Sequence, residues 1–428
     1  MAETAEEEGG DAGRETADGS DAVGGSAGIP GAADKPAAEA ASGEASSEEA
    51  VGTDASMSGA ATEPETSEPA AAGGEDAEPK VLTLGFAGDI LFDRSYSIQA
   101  QMEGRGGGIA GAVGASLLEE MRRVDLMIAN NEFPYTDRGA PQPEKTFTFH
   151  AAPRTVRQLK EMGIDLAGLA NNHCFDYGEQ GFLDTLDTLE RAGVPYVGAG
   201  RNIDAAAAPY LYEQGGFRIA IFCATEIERT GSPDTRGATD TLPGVFRCLD
   251  DTRLCNDVQK AKADGYFVIV FIHWGTEGEE QPDHWQLKQG PEIAQAGADL
   301  IIGAHPHCLQ PIGYIGDVPV VYSLGNFLFN SKTLDTCLVE CELEAPRGTA
   351  SGSGGTAPGL TGSAAGTAEP DDRAAGRTTL KSLRFLPCIQ SGCTVRFAED
   401  GERDRILQYM RDISPEVTID AEGWIGKK

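Results

Sequence analysis

Leu169-Ala170-Asn171-Asn172-His173-Cys174-Phe175-Asp176-Tyr177-Gly178 is the stretch whose reading decides the fold. Upstream, residues 165–169 form a short apolar run that reads as a buried strand. Downstream, the pattern turns helical from about 178 to 192, with Gly193 supplying the left-handed stop that helices favour. A strand that ends in Asn, Asn and His ahead of a helix puts polar side chains at the carboxyl edge of a sheet. In open α/β sheets the ligand crevice lies there.

The same arrangement recurs on both sides of this stretch. Residues 81–87 read as a strand entering Gly88-Asp89, and 125–129 as one entering Asn130-Asn131-Glu132. Residues 266–272 deliver His273, a helix follows over about 283–296, and 298–303 deliver His305 and His307. Strands at 318–322, 335–344 and 380–385 and a short helix at 402–410 extend the pattern. Strands alternating with helices predict an α/β domain.

Of six histidines, four fall at strand ends: His173, His273, His305 and His307. Imidazole nitrogens beside Asp, Glu and Asn oxygens suit divalent manganese, iron or zinc, and ligands convergent from separate loops build a site with open positions. His305 and His307, one residue apart around Pro306, cannot share a helix face but can address neighbouring ions from an extended segment. His150 and His284 read as structural or exposed.

Composition sets the limits of the domain. Residues 1–80 contain no aromatic side chain and carry 20 acids against Arg14, Lys35 and Lys80, a net of -17, half of the formal -34 of the 428-residue chain. Such a segment buries too little apolar surface to offset ordering entropy of about 1–2 kcal/mol per residue, so we expect a disordered acidic tail. Residues 346–379 read as a disordered Gly/Ser/Ala insertion, with 81–345 and 380–428 forming one domain. The remaining domain is acidic too, which argues against nucleic acid or an anionic membrane surface as a bulk partner. No transmembrane run or signal peptide is visible, although the tail also has the composition of a spacer behind an envelope anchor encoded further upstream. Nine scattered cysteines lack paired CxxC spacing; Cys337 with Cys341, and Cys388 with Cys393, are left open as disulfides.

Gly-Asp-Ile-Leu at 88–91, Asn-Asn-Glu at 130–132, the 169–178 stretch, His-Trp-Gly-Thr-Glu at 273–277, Gly-Ala-His-Pro-His at 303–307 and Tyr-Ser-Leu-Gly-Asn-Phe at 322–327 resemble the CapA family of poly-γ-glutamate capsule-synthesis proteins. That resemblance runs in order from about 81 to 329. It implies a calcineurin-like metallophosphoesterase fold, a four-layer α/β/β/α sandwich with a metal centre at the strand ends. Carried over by position, it implies Asp89, Glu132, Asn172, His273, His305 and His307 as metal ligands, His173 as the proton donor to a leaving group, and Asp176 as the residue that orients it.

One position departs from the wider superfamily. Its first motif is Asp-x-His, and Leu91 stands where the histidine ligand belongs, leaving Asp93 as a possible substitute and one or two ions as the expectation. Around the centre Lys145 reads as a contact to an anionic substrate or a solvated lysine, Trp274 as pocket wall or core, Glu277 as the residue that orients His273 or a surface charge, and Asn326 as facing the cleft, with Tyr322, Leu324 and Phe327 as packing. The resemblance further implies a metal-dependent hydrolase acting on a phosphoester or γ-glutamyl amide, or a non-catalytic accessory protein guiding an anionic polymer. It implies a place at the cell envelope, with the cytoplasm left open because no export signal is visible, and an anionic polymer or small-molecule substrate and a capsule-synthesis membrane complex as partners.

Overall fold

The computed structural model describes residues 80–143, 145–227, 235–345 and 376–428. The expected disordered tail, but for Lys80, and most of the expected Gly/Ser/Ala insertion lie outside the described residues.

Two sheets carry the domain. In the six-stranded one, Phe217–Thr225, Phe267–His273, Leu300–Ala304 and Val318–Val321 run parallel, flanked by the antiparallel edges Tyr210–Gln214 and Ile312–Ile315. In the ten-stranded one, Val81–Ile90, Leu126–Asn131, Leu166–Gly168 and Tyr196–Val197 are parallel neighbours. Beyond Val81–Ile90 the order turns antiparallel through Leu334–Glu344 and Thr379–Ser391, which pair along eleven residues of the former. The segment after residue 375 thus completes this sheet.

Alternation along the strands explains why the sheets stack. Ile219, Ile221 and Cys223, with Phe267, Ile269 and Phe271, share one core with Phe86, Ile128 and Leu166 of the larger sheet. Phe86 and Phe271 meet edge to face, ring centroids 6.3 Å apart. The intervening Ala220, Phe222, Ala224, Val268, Val270 and Ile272 face the other way, onto Leu254 and Val258 of the helix Thr252–Ala263 and Ile293 of His284–Ala296. Helices Ala115–Arg123, Gly178–Ala192 and Asp400–Ile413 contribute Leu117, Met121, Phe182, Leu186, Ile406 and Met410 to the core on the larger sheet's side. The result is the expected four-layer metallophosphoesterase-like sandwich.

Neither cysteine pair is a disulfide; all nine thiols are free. Cys337 and Cys341 sit four residues apart on one strand, a separation of about 13 Å at 3.3 Å per residue, beyond any bridge. Cys388 lies opposite Phe397 in its hairpin, not opposite Cys393. Residues 146–149 form no strand.

Candidate metal centre

The carboxyl ends of the parallel strands from both sheets gather the polar clusters. Asp89 lies on a strand whose register shifts between Ala87 and Asp89 against one neighbour and between Asp89 and Ile90 against another. Such an irregularity re-aims a side chain. Gly88 permits it: a Cβ there would lie 1.9 Å from the carbonyl oxygen of Gly325, so the 88–91 and 322–327 motifs approach closely only through glycine. His305 and His307 follow their strand in left-handed backbone, with φ of 100° and 59°, a conformation that costs non-glycine residues of order 1–3 kcal/mol and persists where surroundings over-determine it.

Distances show what converges. His307 Nδ1 is 3.0 Å from Asp89 Oδ2. His273 Nε2 is 2.9 Å from Asn172 Oδ1, 3.0 Å from His305 Nδ1 and 3.7 Å from Glu132 Oε1. Ligand atoms of Glu132, His273 and His305 lie within 4.8 Å of one another, as do those of Asp89, Glu132 and His307. Glu132 belongs to both sets.

Nearly everything here is buried. Asp89 and Glu132 are fully enclosed, and Asn172, His273 and His305 are at most 4% exposed. Burial, then the charge of Asp89, pushes the Glu132 carboxyl well above its ordinary range. Burial, then the neighbouring imidazoles His305, His307 and His173, pushes His273 well below its own. Burial also opposes protonation of His307, but its hydrogen bond and charge pairing with Asp89 prevail and raise it. Glu132 Oε1 is buried with no hydrogen-bond partner. An isolated buried carboxylate costs several kcal/mol. The His273 imidazole lies 3.7 Å from that orphaned oxygen and about 3 Å from both the Asn172 amide oxygen and His305 Nδ1, a set that fits a divalent cation with bonds of about 2.0–2.2 Å.

His173 stands beside the centre. Its Nδ1 is 2.7 Å from Asp176 Oδ2 and its Nε2 3.8 Å from Glu132 Oε1. Phe149 stacks on the ring at 4.1 Å and donates its backbone N–H to Asp176 Oδ2. Lys145, expected to meet substrate, instead donates to Asp176 Oδ1 and to the Asn172 carbonyl, each at 2.6 Å, with its side chain 9% exposed.

Of its two expected places, pocket or core, Trp274 takes the core: it is fully buried on the helix-facing side and donates from Nε1 to the Tyr322 carbonyl at 2.9 Å. Glu277 does not orient His273, whose Nδ1 faces Asn130 Nδ2 at 3.3 Å; its carboxylate lies within 4.8 Å of His305 and His307. Asp93 spends its carboxylate on the backbone of Ser95 and His150 and does not substitute for Leu91, which is itself wholly buried. Asn326 sits buried in register with Asp89.

Sequence reading passed over Asn130 and Asn171, though both stand inside the quoted motifs. Asn130 Nδ2 donates to Asp89 Oδ1 at 2.7 Å and lies 3.3 Å from Glu132 Oε2; Asn171 donates to Asn130 Oδ1 and fixes the His173 backbone through its own Oδ1. Their position beside ligand-type residues was the available signal.

A four-layer sandwich with carboxylate, amide and imidazole groups meeting at the ends of its central strands defines a metallophosphoesterase-like protein. Within that class, the chain belongs to the family described as bacterial capsule synthesis protein PGA_cap, whose family model matches residues 83–331. It is similar to the "PGA biosynthesis protein CapA" of Bacillus subtilis strain 168, 31% identical over 269 residues, covering 62% of this chain and 68% of that one. It is similar also to the "Capsule biosynthesis protein CapA" of Bacillus anthracis, 31% identical over 275 residues, covering 62% of this chain and just under two thirds, 65%, of that one. Among solved structures, a hypothetical protein from Thermus thermophilus aligns at 15% identity with a TM-score of 0.35, covering 61% of this chain and 93% of that one. No helix among the described residues is long and apolar enough to cross a membrane.

Proposed function

We propose that this chain is a metal-dependent hydrolase acting in the synthesis or processing of a poly-γ-glutamate capsule or related envelope polymer, on a phosphoester or a γ-glutamyl amide. One observation carries the chemistry: two donor sets share Glu132, whose buried Oε1 has no partner of its own. Glu132, Asn172, His273 and His305 would hold one ion and Asp89, Glu132 and His307 a second. The mixed N/O donors suit Mn, Fe or Zn. When bound, such ions polarise a scissile group and acidify water. The chemistry of the polymer and its setting at the cell envelope, with a membrane-bound capsule-synthesis complex as partner, rest on the names of the relatives.

His173 manages the proton. Its hydrogen bond to the Asp176 carboxylate fixes the tautomer with Nδ1 protonated and leaves Nε2 directed toward the centre. Burial lowers its pKa, so the ring rests neutral near neutral pH, free to take a proton at Nε2 from the attacking water and return it to the departing oxygen or nitrogen. Phe149, stacked on the ring, keeps water from competing for it.

A second reading, a non-catalytic protein that guides an anionic polymer along the same cleft, draws on Leu91 standing where the superfamily places a ligand. One experiment separates the two: metal analysis with a hydrolase screen over phosphomonoesters, phosphodiesters and γ-glutamyl polymers. His173→Ala should keep its metal and lose turnover by at least about 100-fold. A variant that supports polymer production as well as the parent removes catalysis from the function.

A further inference from the structure

Asn326 carries a second orphaned oxygen at the centre. Its Oδ1 is buried and makes no hydrogen bond of ordinary geometry, as is true of Glu132 Oε1. A buried amide oxygen is costly to leave unpaired, so one that persists calls for an explanation. Leu91, fully buried in the apolar core, presents nothing to an ion and leaves the Asp89, Glu132 and His307 set one protein ligand short.

Backbone ties place Asn326 beside both Asp89 and His307. It opens the strand Asn326–Leu328 and stands in parallel register with Asp89. Hydrogen bonds lock that register on either side: Asp89 donates its N–H to the Gly325 carbonyl at 3.2 Å, and Leu91 donates to that of Leu328 at 2.9 Å. Residues paired across neighbouring strands present their side chains to one face of a sheet, which sets the Asn326 carboxamide alongside the Asp89 carboxylate. The turn before it is fastened to the histidine arm. Ser323 Oγ donates to the Cys308 carbonyl at 2.7 Å and accepts the Gly325 N–H at 3.2 Å, and Leu309 bridges to Leu324. Gly325 takes this turn in left-handed backbone, φ of 70°, where a Cβ would lie 3.3 Å from the Cys308 carbonyl carbon. The carboxamide reaches the His307 ring: burial opposes protonation there, Asp89 leads the groups that overcome it, and Asn326 is among them.

The geometry points to Asn326 Oδ1 as the ligand that replaces the imidazole lost at Leu91 and completes the ion position of Asp89, Glu132 and His307. This inference rests on the metal-centre reading above. It gives the two ion positions a matching plan, with one side-chain amide oxygen each, Asn172 at one and Asn326 at the other, and Glu132 between them. It also sets the charge. An amide is neutral, so two dications meet only the carboxylates of Asp89 and Glu132 among their ligands, and the positive surplus draws an anionic group, phosphate or carboxylate, to the open positions. Three oxygens with one nitrogen favour a harder cation such as Mn²⁺ at the Asn326 position.

The test is calorimetric titration of Mn²⁺ into the metal-free full chain, compared across variants. Wild type should take two ions. Asn326→Leu, close in size and without the oxygen, should keep one ion at unchanged affinity and weaken the other at least about tenfold. Asn172→Leu should weaken the ion that Asn326→Leu spares. Asn326→Asp keeps an oxygen in place and should bind both ions at least as tightly as wild type; if Asn326→Leu fails to fold, this variant decides alone. Two ions at parental affinity in Asn326→Leu, equal weakening of both, or weaker binding in Asn326→Asp overturns the assignment. A wild type that holds one ion overturns it while leaving the metal centre standing; a wild type that holds none removes the centre as well.

Discussion

Glu132 and Glu340 are both buried, and their surroundings differ in kind. Glu340, on the strand Leu334–Glu344, is 4% exposed and lies 3.3 Å from the guanidinium of Arg123, with Glu120 as the other acid of the group. Glu132 is fully enclosed beside a second acid, Asp89, and three imidazoles, and one of its oxygens has no partner. Around Glu340 the chain supplies its own counter-charge. Around Glu132 it supplies lone pairs, and Lys145, the cation that acts on it through space, is bonded to Asp176. A buried acid compensated from within is architecture; one surrounded by donors of electrons is a candidate to take a cation from solution.

The sharpest way to break that contrast is to remove the shared carboxylate. Glu132→Gln keeps the shape and deletes the bridging charge, so uptake of both ions should fall by more than about 100-fold. The metal-free form should melt within about 2 °C of wild type, because the native carboxyl is already pushed toward its neutral form. Saturating metal at about 100 times its dissociation constant stabilises wild type by about 2.7 kcal/mol, a rise of roughly 5 °C for a domain this size. The variant should show no such rise in differential scanning calorimetry. Protons compete for the same carboxyl, so wild-type uptake should weaken as pH falls. A Glu132→Gln protein that still binds two ions would place the centre elsewhere.

Much of this was legible in the sequence where chemistry and topology coincide. Polar residues that terminate apolar runs, such as Asp89, Glu132 and His273, had to collect at one edge of the sheets, because parallel strands all end on the same side. What stayed hidden depended on which way side chains turn. Trp274 follows a site residue directly, and alternation sends it to the opposite face, into the core. Lys145 and Glu277 sit on loops, whose course is set by tertiary anchors such as Asp176 and Pro306 that no local pattern announces. Asn130 and Asn171 were visible as residues, but that they hold Asp89 and the His173 backbone in place shows only in the distances.

Lys145 offers a second, smaller test. If its ammonium serves to hold Asp176 against His173, Lys145→Met should lower kcat about tenfold with KM and metal content nearly unchanged. The pH profile should shift as well, since the Lys145 charge helps to depress the His173 pKa and its loss lets that pKa rise. A change confined to KM would restore the substrate-contact role that the sequence had suggested.

The smallest effect belongs to the self-compensated acid. Burial, then the hydrogen bond and charge of Glu120, raises the Glu340 pKa from an ordinary 4.5 to about 7. A folded-state pKa above the unfolded value means that the native state binds the extra proton. The stabilisation is therefore complete below about pH 4.5 and is lost as pH rises through about 7. After allowance for screening through the half-exposed Arg123, about 1 kcal/mol should disappear from wild type between about pH 5 and 8 on account of this group. Glu340→Gln does not titrate, so the fall in its melting temperature across that interval should be about 2 °C smaller than in wild type. Parallel curves for the two proteins would mean that Arg123 already keeps Glu340 ionised. The counter-charge beside Glu340 would then outweigh its burial and the charge of Glu120, and the contrast with Glu132 would be sharper.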